Sequence, residues 1–118
     1  MNLESLLDQL NNEPTQVEFN QVMDIIQSLY NYTPTRFTNG LNQDTVTNEA
    51  GSNEGSCKLF AFAQDQSLTE EQTLACFGRY YREDVLNNPG GSDHANIRSF
   101  IKYGWQGIRF DNFPLTKK

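Results

Sequence analysis

Three side chains in this chain have the reactivity for covalent or acid–base chemistry at neutral pH: the thiols of Cys57 and Cys76 and the lone imidazole of His94. Cys57, His94 and Asn96 follow one another in the order thiol, imidazole, amide. In a cysteine hydrolase or acyltransferase the base withdraws the thiol proton and the amide orients the base. Ser56-Cys57 also reads as a helix start, where the helix dipole stabilises a thiolate. Against this, any chain with one His and two Cys offers such a pairing, and a triad is recognised by geometry rather than by order. The preferred reading therefore places Cys57 in the core and His94 in a first helical turn, with no catalytic residue. A metal centre from Cys57, Cys76, His94 and Asp93 is rejected, because structural zinc takes ligands paired at close spacing and none are so paired here.

A third constellation is polar and aromatic. Arg79, Tyr80, Tyr81, Arg82, Glu83 and Asp84 are followed, after a turn, by Asp93, His94, Asn96 and Arg98. Arg79 and Glu83 stand four residues apart, as do Tyr80 and Asp84, a spacing that usually means solvated surface pairs worth a few tenths of a kcal/mol. The functional alternative is a recognition surface, since Tyr and Arg are frequent interface anchors. The candidate binding residues are Asn53, Glu54, Tyr80, Arg82, Asp93, His94, Arg98 and Trp105.

These residues must be positioned by a single domain spanning 1–118, long enough to bury a core without disulfides or metals. Eight Phe in 118 residues make that core rich in rings. The net charge of −6 opposes nucleic acid and anionic lipid as partners, both of which favour a basic face. The acidity is concentrated at one end: residues 1–57 hold a single base, Arg36, against eight acids. Two Cys make no secreted disulfide framework, so both thiols are expected reduced and buried. The first 35 residues hold no Lys or Arg, unlike a secretory signal peptide, and no segment is apolar enough to span a bilayer.

In chain order, Asn2 caps a short helix with Leu3, Leu6, Leu7 and Leu10 on one face. A second helix is predicted from Thr15, with Thr15 and Glu18 as a capping box, ending near Asn31 and Pro34. Asn39-Gly40 marks a hairpin between Phe37-Thr38 and Thr45–Thr47. Residues 48–56 form a loop of small and polar residues that lacks the Gly-Lys-Ser/Thr ending of a phosphate-binding loop. CKLFAFA (57–63) is read as a helix. Thr69 and Gln72 box the start of another, whose face comprises Leu74, Phe77, Gly78, Tyr81 and Val85. Gly78 implies either a close backbone approach or a break into two helices. Residues 87–91 stop the chain, and Asp93 caps a last helix that points Ile97, Phe100, Ile101 and Tyr103 inward. Gly104 ends it, an extended tail packs Trp105, Ile108 and Phe110, and the chain frays from Pro114.

FTNG (Phe37–Gly40), NEGSCKLFAFA (Asn53–Ala63), CFGRYYREDVL (Cys76–Leu86) and NPGGSDHANIRSFIKYGW (Asn88–Trp105) together resemble the HopJ type III effector family, over nearly the whole chain. That family is named for proteins that plant-pathogenic bacteria deliver into host cells by type III secretion. The resemblance implies an effector-related bacterial protein of unestablished biochemical activity, and it brings no catalytic residues with it. The opening MNLESLLDQL reads as a capped amphipathic helix with two acids, whereas a type III export signal is expected to be unfolded and rich in Ser and Thr. The chain is therefore expected in the bacterial cytoplasm, with type III secretion as the alternative.

The expected fold is α+β and mainly helical, with about five short helices and one small antiparallel β element. The expected function is a non-enzymatic protein- or ligand-binding domain without cofactor or metal, a soluble monomer or weak dimer. The runner-up is the Cys57–His94 enzyme.

Overall fold

The computed structural model describes residues 2–118, and they form an α+β fold that is mainly helical. Helix α1 (Leu3–Asn12) starts as expected: the Asn2 side chain accepts from the Ser5 N–H at 2.8 Å, and Leu6 and Leu10 are buried. Helix α2 (Phe19–Leu29) starts four residues later than predicted. Pro14 opens a single 3-10 turn (Pro14–Gln16), and fully buried Val17 then runs extended. The Val17 carbonyl accepts from Arg82 Nη1 at 2.8 Å, so this bond is made across the fold rather than along a helix. Glu18 takes the cap position and closes its box with Gln21 instead of Thr15.

The β structure is more extensive than the one expected element. Strands β2 (Phe37–Asn39), β3 (Val46–Asn48) and β4 (Arg109–Phe110) form an antiparallel sheet in the order β3-β2-β4. The β2–β3 connection is longer than the Asn-Gly dipeptide and contains a 3-10 turn, Asn42–Asp44. A second ribbon pairs β1 (Tyr30–Tyr32) with β5 (Leu115–Lys117), where the last turn of a helix and a frayed tail were predicted. Buried Tyr30 and Leu115 lie at opposite ends of this ribbon. Their burial compensates the ordering of a tail whose own sequence is a weak strand signal.

Helix α3 (Glu54–Asp65) is the central element, with Cys57 and every residue from Leu59 to Ala63 buried. The ring of Phe60 meets Phe100 at 5.0 Å, Phe77 at 5.5 Å, Phe37 at 6.1 Å and Trp105 at 6.4 Å. Helix α4 (Glu70–Ala75) opens with the expected Thr69–Gln72 box. Both readings of Gly78 hold. Its φ of +61° breaks the helix, and a Cβ there would lie 2.9 Å from the Phe19 backbone nitrogen. A π-helical segment (Tyr80–Val85) follows.

Helix α5 (Ala95–Tyr103) is capped by position 94, not by Asp93. Asp93 is drawn away by Arg98, whose Nη2 lies 2.6 Å from its carboxylate and whose Nε donates to its carbonyl. Asn96, Ile97, Ser99 and Phe100 define the buried face of α5, which leaves Ile101 47% exposed rather than inward. A 3-10 turn (Gly104–Gly107) leads into β4 in place of a wholly extended tail. Both cysteines are free and buried.

Candidate functional site

Helices α3 and α5 begin side by side, and they begin alike. The residue before each lies in the left-handed region, Asn53 at φ +50°, ψ +45° and His94 at φ +52°, ψ +49°. Such a conformation costs a non-glycine residue on the order of 1 kcal/mol or more, so surrounding contacts must impose it. Neither residue caps its helix with its side chain. The first turns of both helices therefore lack the side-chain partner that Asn2 and Thr69 supply to α1 and α4, although the Ile97 N–H turns back to the His94 carbonyl at 3.0 Å.

Four asparagines tie the start of α3 to that of α5, Asn53 directly and His94 through its neighbour Asn96, while the His94 ring itself is held by Asp84 and Tyr80. Asn48 and Asn96 pair reciprocally: Asn96 Nδ2 donates to Asn48 Oδ1 at 2.9 Å, and Asn48 Nδ2 donates to Asn96 Oδ1 at 3.0 Å. Asn39 Nδ2 donates to the Asn96 carbonyl at 2.8 Å and to its Oδ1 at 3.1 Å. Asn53 Nδ2 donates to Asn48 Oδ1 at 2.7 Å. Strands β2 and β3 thus hold the starts of α3 and α5 through amide bonds whose geometry is directional.

Between the two helix starts lies a cavity of about 350 Å³. Asn53, Gly55 and Ser56 line one side, residues His94 to Ile97 the other, and Phe19, Phe77, Tyr80 and Val46 complete it. The Phe19 ring lies 5.3 Å from Tyr80, edge-on, and 6.3 Å from Phe77. A Cβ at Gly55 would meet the Phe19 ring at 2.9 Å, so the glycine lets that ring lie against the start of α3. The imidazole of His94 is tilted against Tyr80 at 5.3 Å, and its Nε2 is 3.0 Å from Asp84 Oδ2. The cavity therefore has flat apolar walls and lies beside the positive ends of two helix dipoles.

Of the residues singled out from sequence, Asn53, Tyr80, His94 and Asn96 meet at this cavity. Glu54 is next to it, with its carboxylate beside the Tyr32 hydroxyl; burial, first, and that carboxylate push the Tyr32 proton affinity up. Arg82, Arg98 and Trp105 are engaged elsewhere. Arg82 ties the π-helical segment to Val17 and lies 3.5 Å from Glu18. Arg98 clamps the 88–93 turn through Asn88 and Asp93, and its hydrogen bond holds the Asp93 carboxyl below the usual range. Trp105 donates its indole N–H to the Leu68 carbonyl and packs on Phe60 and Phe100.

Cys57 lies one residue beyond Ser56, but on the core side of α3 at 1% exposure. Its thiol is 3.8 Å from the Thr35 carbonyl, and burial pushes it up to about 11. No hydrogen bond joins it to His94 among the described residues. Nor do the described residues contain a group of three or more His, Cys, Asp or Glu placed to hold a metal ion, or a helix long and apolar enough to cross a membrane. Sequence reasoning missed Phe19, Phe77 and Gly55 as walls, and Asn39 and Asn48 as supports. The FTNG motif contains Asn39, but an asparagine before a glycine reads first as a turn.

The model of the family described as HopJ type III effector protein matches residues 3–115, which include every residue of the cavity. The chain is also similar to the crystal structure of the unknown function protein VPA0580. The two are 48% identical with a TM-score of 0.93, over 100% of this chain and 95% of that one. No curated protein matches the chain.

Proposed function

The chain belongs to the HopJ type III effector protein family, and from that premise we propose that it is a non-enzymatic binding domain whose ligand lodges between the starts of α3 and α5. The carrying observation is the cavity itself: three rings form its walls, and two helix starts without side-chain caps meet at it. Its volume fits a small ligand, or one side chain of a partner, with a flat apolar body and a hydrogen-bond-accepting head. The head would sit against the first-turn N–H groups that no side chain caps, and the body would lie against Phe19, Phe77 and Tyr80. Binding rather than catalysis is favoured because the buried Cys57 thiol resists ionisation and bonds a backbone carbonyl. The family description points to type III secretion; the binding reading applies equally to an injected protein and to one resident in the bacterium.

Benzoate is a suitable first probe. Titrated into the ¹⁵N-labelled full chain, it is expected to shift the amide signals of residues 53–56 and 94–97 together, with a shared affinity. Shifts scattered over the surface, or none in these two segments at millimolar benzoate, would overturn the reading.

A further inference from the structure

The cavity has a neighbour. An outer hollow of about 580 Å³ is bounded by Glu18, Phe19, Asn20, Arg79 and Tyr80. Phe19 and Tyr80 line both spaces, and their rings meet edge-on at 5.3 Å. The two rings are not held equally. Phe19 opens α2, lies against Phe77 and rests over Gly55. Tyr80 is 43% exposed, and its ring contacts are the edge of Phe19 and the tilted face of His94. It begins a π-helical segment, a geometry frequent at functional sites, two residues after the left-handed Gly78. Rotation of an exposed side chain about its own bonds is fast and needs no movement of the backbone.

We propose that Tyr80 sets the length of ligand the cavity admits; this rests on the binding reading above. With its ring in place, a one-ring ligand fills the inner cavity. A ligand with a second ring in line must take Tyr80's position between Phe19 and His94, and it forfeits the contacts Tyr80 made there. Swung outward, Tyr80 opens the inner space into the outer hollow, toward Arg79 and Asn20. Phe19 is the less free of the two, because it is less exposed than Tyr80 and its ring lies against Gly55 and Phe77.

The test compares benzoate with 2-naphthoate on the full-length protein by calorimetric titration, for the unmodified chain, Tyr80→Phe and Tyr80→Ala. Removing the ring is expected to shift the affinity ratio toward naphthoate by about tenfold, the equivalent of one or two ring contacts. Tyr80→Phe, which keeps the ring, is expected to retain the ratio of the unmodified chain. Benzoate binding with an unchanged ratio in Tyr80→Ala would overturn the role of Tyr80 and leave the binding reading standing. Failure of all three proteins to bind either probe would overturn both. Thermal melts accompany each variant, and Tyr80→Thr, which also vacates the ring's position, replaces Tyr80→Ala if the alanine variant does not fold.

Discussion

Helix α3 is held in two ways. At Phe60, in its middle, it is surrounded by rings; at Asn53, where it starts, it is held by amides. The ring region excludes water, and its attraction is nearly without direction, so it provides most of the stability and tolerates apolar exchange. The asparagine region gains less per contact but constrains angles, because each amide must present the correct edge to the next. The difference suggests a division of labour: rings keep the domain folded, while amides fix the starts of α3 and α5 relative to each other around the cavity.

The comparison can be broken at either end. Phe60→Ala is expected to have the largest effect, a loss of about 3–5 kcal/mol in denaturant unfolding, while Phe60→Leu should cost under half of that. A leucine as damaging as an alanine would show that the rings interlock by shape instead. Asn96→Asp is next. It preserves size but faces the Asn48 Oδ1 acceptor with a second acceptor, and a loss of about 2–3 kcal/mol is expected. If aspartate were tolerated while the amide signals of 53–56 stayed in place, the network would not be what positions α3. Tyr81→Ala should cost about 1–2 kcal/mol, since that ring packs on the core, whereas Tyr80→Ala should stay within about 0.5 kcal/mol. Equal losses would make Tyr80 part of the core.

Two smaller effects depend on pH. Burial raises Cys57 from an ordinary 9.0 to about 11, so its contribution to stability is full below about 9 and is lost as pH rises through 11. Unfolding curves of Cys57→Ala should accordingly decline less steeply over that window, and iodoacetamide should label Cys57 in the native protein slowly at neutral pH. Rapid labelling, abolished by His94→Ala, would restore the enzyme reading. The Arg98 bond holds exposed Asp93 below 3.8, so its contribution is present above that pH and disappears as pH falls through the lowered value. The stability difference between the unmodified chain and Asp93→Asn should therefore shrink in acid, by the smallest amount of the set.

Local signals were legible wherever a residue and its partner stand within one turn. Asn2 with Ser5 and Thr69 with Gln72 needed only short-range chemistry, and Gly78 declared its break because no other residue tolerates that backbone at so close an approach. Thr15 and Asp93 misled for the opposite reason. Each is a good cap by type, yet the Val17 carbonyl and the Asp93 carboxylate were claimed by arginines 65 and 5 residues away. The β1–β5 ribbon was hidden because its two strands come from distant parts of the chain and neither is a strong strand former alone.

By itself the sequence determined a ring-rich, mainly helical domain, its family, and a polar cluster around the one imidazole, since composition and short-range spacing are properties of the chain alone. Only the tertiary structure decided which of those residues share a cavity. Asn39, Asn48, Asn53 and Asn96 are ordinary strand, loop and helix residues until folding links them in a chain of amide bonds, Asn39 to Asn96, Asn96 to Asn48 and Asn48 to Asn53, each 3.1 Å or shorter. The reason is physical: an amide bond depends on distance and angle across the fold, and neither exists before the fold does.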